Sequence, residues 1–256
     1  MITGGASGIG AASCRAFAAA GAHVAVVDRN RDGCEAVASE IDGIASTCDV
    51  GDEAAVGAMV ADVESRLGPI DIFFSNAGVA TGADILTTPT AVWNEQWAIN
   101  VMAHVHAVRA VLPGMLARGG GYLVHTASMA GILTSHGNVT YATTKHAVVG
   151  LAEWLSITYH HRGIGVTLVA PLGVRTPMFE EAPPEFAAMV AGPIKEPEDV
   201  AGSVVEAIRA EQFLVISDPI AQTWMERKTG DTERWLRGMR RLQEQMESPE
   251  PATGDI

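Results

Sequence analysis

Tyr141-Ala-Thr-Thr-Lys145 is the stretch of this 256-residue chain that most directly implies chemistry. On a helix, residues four apart share a face, so a phenol and an ammonium stand side by side. A neighbouring cation favours phenolate and draws a tyrosine pKa from ~10 towards neutrality. A phenol tuned in this way gives a proton to a carbonyl oxygen or takes one from an alcohol. Ser128, just past a strand, can hydrogen-bond that same oxygen. Asn100, in Trp97-Ala-Ile-Asn100-Val, falls inside a helix, where an amide is mildly unfavourable unless something uses it. Taken alone, a tyrosine–lysine pair is more often a solvated surface pair. Its meaning depends on what lies upstream.

Upstream lies Thr3-Gly4-Gly5-Ala6-Ser7-Gly8-Ile9-Gly10, a glycine turn that opens a helix. Gly4, Gly8 and Gly10 let the backbone turn tightly, approach a phosphate and pack helix on strand, with Ser7 and Ile9 between them at the helix start. Three further segments end strands on the same sheet edge: Asp28, then Asp49-Val50, then Asn76-Ala77-Gly78. A carboxylate at Asp28 can accept hydrogen bonds from an adenosine ribose, and it repels a 2′-phosphate, which favours NAD over NADP. Arg29 pulls the other way, since a guanidinium binds such a phosphate. Each of these could be an ordinary turn residue. Together they outline a dinucleotide site.

The elements that must hold these residues alternate. Strands are predicted at His23–Val27, Ile44–Cys48, Ile70–Phe74, Tyr122–Thr126, Val166–Ala170 and Phe213–Ile216. Helices fall at Ala11–Ala20, Arg31–Glu40, Glu53–Leu67, Ala91–Leu112, Tyr141–Arg162 and Glu198–Ala210. Alternation at this spacing means right-handed βαβ units and a doubly wound parallel sheet of α/β class with helices on both faces. The near-continuous apolar strands agree with a sheet buried on both sides. The strand before the glycine turn is truncated to Met1-Ile2-Thr3, which spans at most ~10 Å. Losing a central strand would leave its neighbours unpaired, so several more apolar residues are expected upstream in the natural protein.

Composition narrows the classes. A net charge of −13 argues against nucleic acid or an anionic membrane as the main partner. Neither a signal peptide nor a run of ~18 apolar residues is evident, so a cytoplasmic protein is expected. Cys14, Cys34 and Cys48 lack metal or redox spacing and read as reduced thiols. His104 and His106 point to different helix faces, and His160 and His161 are adjacent, so no catalytic metal is expected.

With these motifs in order, the chain resembles the short-chain dehydrogenases/reductases from Thr3 to about Thr176. The resemblance rests on Thr-Gly-x-x-x-Gly-x-Gly, Asn-Ala-Gly and Tyr-x-x-x-Lys. It implies a Rossmann-like sheet of about seven strands, an NAD(P) cofactor, and a homotetramer or dimer. It implies Tyr141 as acid/base and Ser128 as the group orienting the substrate oxygen. Lys145 would lower the tyrosine pKa and hold the nicotinamide ribose, and Asn100 would anchor a water in a proton relay. The family's Pro-Gly-x-Val-x-Thr becomes Pro171-Leu172-Gly173-Val174-Arg175-Thr176 here. Pro171, Val174 and Thr176 still match, with Val174 and Thr176 expected against the nicotinamide carboxamide.

The substrate side is expected to be apolar. Met178, Phe179, Phe186 and Met189 can form a closing loop, and Ala130, Ile132, Leu133 and His136 the opposite wall. With no cation placed to grip an anion, a neutral secondary alcohol or ketone fits best. One catalytic domain is expected over 1–217, then a helical extension over 218–246 and a disordered tail over 247–256. Trp224, Met225, Trp235, Leu236, Met239 and Leu242 give the extension an apolar stripe that Gly230 divides. Its arginines, interleaved with acids, read as a solvated face. The leading reading is an NAD(H)-dependent oxidoreductase. An NADP(H)-dependent ketone reductase and a non-catalytic dinucleotide sensor stand as alternatives.

Overall fold

The structure is a computed structural model that describes residues 1–182 and 193–247. Seven parallel strands form one sheet: β1 (Ile2–Thr3), β2 (Ala25–Asp28), β3 (Ile44–Thr47), β4 (Ile72–Ser75), β5 (Gly121–Thr126), β6 (Ile164–Ala170) and β7 (Leu214–Ile216). Their order is β3-β2-β1-β4-β5-β6-β7, so the chain reverses direction across the sheet between β1 and β4. Ligands of such sheets bind at that reversal, beyond the carboxyl ends of the strands.

The truncated strand fills the central slot. Ile2 is in register with Val26 on one side and Phe74 on the other. Met1 extends the pairing: its amine donates to Ile72 O at 3.0 Å, and its carbonyl accepts from Phe74 N at 2.9 Å. Gly5 N continues it to Val27 O, and Asn76 N turns to Thr3 Oγ1. The loops on both sides of β1 thus supply further backbone partners for its neighbours. Burial holds the Met1 amine down at about 6.

One face of the sheet packs on α3 (Glu53–Leu67), α5 (Ala103–Ala117) and α7 (Val139–Tyr159), around Phe73, Met115, Leu123 and Leu155. The other packs on α1 (Gly8–Ala19), α2 (Arg31–Glu40) and α9 (Pro197–Arg209), around Phe17, Phe74 and Val204. The expected helix at Ala91–Leu112 is longer: α4 (Thr90–Trp97) and α5 run on through a π-helical turn at Ala98–Met102. Pro113 does not end it, because the face bearing Val111, Leu112 and Met115 is buried. By length and composition Thr90–Ala117 is apolar enough to cross a membrane, and 56% of its most apolar window is buried inside the fold.

Two short helices escape sequence periodicity, α6 (Ala130–Leu133) and α8 (Pro177–Glu180). The C-terminal segment forms α10 (Pro219–Gly230) and α11 (Thr232–Glu247), parted at Asp231. The tail beyond Glu247, together with Phe186 and Met189, lies outside the described residues.

Candidate active site

The glycine edge is a cradle made of backbone. Ser7 precedes α1 in extended conformation and makes no side-chain cap, which leaves the first-turn amides of Gly8, Ile9 and Gly10 to another acceptor. Gly8 has φ +51°, and a Cβ there would stand 3.0 Å from Thr176 Cγ2. At Gly10 a Cβ would fall 2.0 Å from Gly4 O, so no larger residue fits. Asp28 closes the turn: Oδ2 accepts from Ala6 N at 3.2 Å and Oδ1 from Asn30 N at 3.0 Å. Both oxygens keep spare acceptor capacity. Arg29 is exposed beside it. Asp49 is exposed and caps Gly51 N at 2.9 Å, while Val50 packs against the core. These features fit a dinucleotide pyrophosphate over the helix start and a ribose at Asp28.

Asn76 acts differently. Its amide donates to Thr3 O at 3.1 Å and accepts from Thr126 Oγ1 at 3.0 Å, and Ala77 N donates to Thr3 Oγ1 at 3.2 Å. The side chain is committed to the protein and fixes the loop that carries Ala77 and Gly78. A Cβ on Gly78 would meet Asn100 Oδ1 at 3.3 Å and Lys145 Nζ at 3.4 Å. This glycine is where the cradle touches the reacting groups.

Asn138 caps α7 by accepting from Tyr141 N at 2.9 Å, which sets the phenol at the helix start. Ser128 faces the Tyr141 hydroxyl and favours its ionised form. Lys145 lies over the Tyr141 ring, 5.6 Å from its centroid, and donates to Thr126 O at 3.0 Å. Burial brings the lysine down to about 8. The tyrosine departs from expectation: burial pushes its phenol above the ordinary value, and Ser128 offsets only part of this. A phenolate loses more by leaving water than one hydrogen bond returns. In the protein alone the phenol therefore stays protonated at neutral pH.

Asn100 sits in the π-helical turn, fully buried. Its Oδ1 accepts from Val79 N at 2.8 Å, and its Nδ2 donates to Val79 O at 2.9 Å and to Thr144 Oγ1 at 3.1 Å. The widened turn explains how a helical amide is free for this work; such turns gather at functional sites. Gln96 extends the network to Thr140 at 2.9 Å. Gln96, Thr126 and Thr144 join the site without any sequence signal of their own, because each is an ordinary residue in an ordinary element.

After β6, the shifted glycine is accommodated without left-handed backbone at Leu172 or Gly173. Pro171 O accepts from Met129 N, and Val174 bridges to Lys195. Thr176 caps α8 and lies against Gly8. On the substrate side, Met178 is exposed and Phe179 half-buried. Ile132 and Leu133, expected to line a pocket, belong to one apolar cluster with Trp224, Met225 and Trp235 of the C-terminal helices. Lys228 donates to Ile132 O, and His136 Nδ1 meets Gln243 Oε1 at 2.6 Å. Among the described residues no cluster of His, Cys, Asp or Glu could hold a metal.

Residues 1–186 match the family described as short chain dehydrogenase. The chain is 36% identical over 187 residues to D-threitol dehydrogenase of Mycolicibacterium smegmatis, covering 71% of this chain and 72% of that protein. It is 33% identical over 230 residues to 1-deoxy-11-beta-hydroxypentalenate dehydrogenase of Streptomyces exfoliatus, covering 87% and 83%. A short chain dehydrogenase/reductase from Burkholderia phymatum, solved in complex with NAD, superposes with a TM-score of 0.84 at 26% identity, over 91% of this chain and 92% of that one.

Proposed function

The chain belongs to the short-chain dehydrogenase/reductase family, and on that footing we propose that it interconverts a largely apolar secondary alcohol and its ketone with NAD(H). The observation that carries the reading is that Lys145, which lies over the Tyr141 ring that Ser128 faces, stands with Asn100 against Gly78, where the glycine cradle ends. Tyr141 exchanges the hydroxyl proton with the substrate oxygen, and Ser128 holds that oxygen in line. Lys145, kept in place by Thr126 O, supplies the positive charge that offsets a developing phenolate. NAD, when bound over Gly4, Ser7, Gly8, Ile9 and Gly10, supplies the hydride acceptor that none of the side chains can.

The choice of NAD rests on Asp28, whose carboxylate is held at the lip of the turn by Ala6 N. The solution of the relative from Burkholderia phymatum with NAD supports it. Three buried free thiols, Cys14, Cys34 and Cys48, suit a reducing cytoplasm. Trp154 and Ile157, exposed on one helix, suit a second copy of the chain.

The test is NADH formation with a panel of cyclic, aryl and aliphatic secondary alcohols. Tyr141→Phe should lower kcat ~10²–10⁴-fold while the Kd for NAD stays within about threefold. A variant that keeps its turnover would remove Tyr141 from the mechanism, and a panel without any hydride transfer would favour the sensor reading.

A further inference from the structure

Behind the Asn76–Gly78 loop lies a cavity of about 10 Å³, about the room of a single water molecule. Thr3, Ser75 and His104 contribute polar groups to its wall, and the remaining lining side chains are apolar. Thr3 is already satisfied by Asn76, Ala77 and Phe74. Ser75 Oγ and His104 Nε2 are buried and have no partner among the described residues. Two unmet polar atoms on one water-sized cavity are the pair of contacts that a buried water needs.

His104 also makes an unusual contact. Its Nδ1 lies 2.9 Å from Nδ1 of His125, and both rings are almost wholly buried. At that distance one nitrogen must carry a proton and the other must not. His125 Nε2 is likewise buried without a partner and does not line the cavity. If His125 carried its proton on Nε2, a buried N–H would be orphaned, which native proteins avoid more strictly than an unused lone pair.

We propose that the cavity binds one water between Ser75 and His104, and that this water sets a directed chain of neutral groups. In it His125 Nδ1–H donates to His104 Nδ1, His104 Nε2–H donates to the water, and the water donates to Ser75 Oγ. His104 Nε2 and Ser75 Oγ each gain a partner in this way, while the Nε2 lone pair of His125 stays unused. The chain ties together the residues just before Asn76 and just before Thr126, whose side chains are joined at 3.0 Å and whose carbonyl at Thr126 holds Lys145.

The titratable groups that face His104 are His125 from β5 and Lys145 from α7; α3 and β4 present only Val56, Met59, Phe73 and Ser75. Burial and both of these neighbours hold His104 neutral well below its ordinary range, and burial holds His125 down at about 4.

The experiment is ¹⁵N-histidine NMR on the full chain without substrate, so its result is independent of any hydride-transfer assay. Two rings should stay neutral from pH 8 to 5, one an Nδ1–H tautomer (lost in His125→Phe) and one an Nε2–H tautomer (lost in His104→Phe). The Nε2–H proton should show a cross-peak to a long-lived water. Ser75→Ala should abolish that cross-peak and turn the single tautomer pair into a mixture. The reverse tautomers, titration of the His104 or His125 ring near pH 6.5, or a Ser75→Ala spectrum identical to wild type would each overturn the assignment. If the phenylalanine variants fail to fold, long-range ring couplings in the wild type identify the tautomers directly.

Discussion

The two edges of this site are built by opposite means. The cofactor edge is mostly backbone: a glycine turn, helix-start amides, and a loop sewn to Thr3 within one contiguous βα unit and its neighbouring strands. The edge expected to face substrate is mostly side chain: Ile132 and Leu133 in one cluster with Trp224, Met225 and Trp235, and His136 against Gln243, a residue 107 positions away. A backbone cradle needs particular glycines and tolerates little else. A side-chain wall can be rebuilt by substitution at many positions, so one fold can serve different alcohols.

The comparison breaks most visibly at Gly10. Gly10→Ala must displace Gly4 O, so NAD affinity should fall at least ~100-fold and calorimetry should record ~1–3 kcal/mol of lost stability. Near-normal NAD binding would show that the cradle is softer than its contacts imply.

Lys145 tests the junction between the edges. Its pKa is about 8 in the fold and 10.5 when exposed, so the folded protein binds fewer protons between those values. Stability of the protein without cofactor should therefore rise with pH across that window, by up to ~1.4 kcal/mol per unit, and level off outside it. Lys145→Met should flatten this slope in a series of thermal melts. An unchanged slope would mean that the ammonium is solvated in solution.

Asp28→Ala sharpens the cofactor edge. Without the carboxylate, and with Arg29 alongside, the NAD-to-NADP preference in kcat/KM should drop by about tenfold or more. A constant ratio would take the ribose away from Asp28.

Gln243→Ala probes the substrate edge and should have the smallest effect. Losing one hydrogen bond of ~1 kcal/mol predicts a several-fold change in KM for the alcohol, with Kd for NAD unmoved. An equal effect on NAD would mean that the two edges are not independent.

These differences also explain what could be read from the chain alone. The glycine turn, Asp28 and Asn-Ala-Gly are local signals, since each motif serves the backbone at its own position. Tyr141 and Lys145 are legible because helical geometry fixes their spacing. The π-helical turn at Asn100 was not legible: a heptad pattern is blind to one inserted residue, and only contact with Val79 and Thr144 shows its purpose. That Ile132 and Leu133 meet Trp224, Met225 and Trp235 was not legible either, because hydrophobicity does not state which apolar neighbour a residue will meet.

By itself, the sequence determined the alternation of strands and helices, the cofactor cradle and the tyrosine–lysine pair, because these depend on periodicity and on residue types with narrow backbone or chemical uses. Only the tertiary structure decided that Ile2 pairs between Val26 and Phe74, that burial raises the Tyr141 phenol, and that the C-terminal helices back the loop between Ser128 and Tyr141. Those outcomes depend on which distant atoms exclude water from one another, and no short stretch of sequence carries that information.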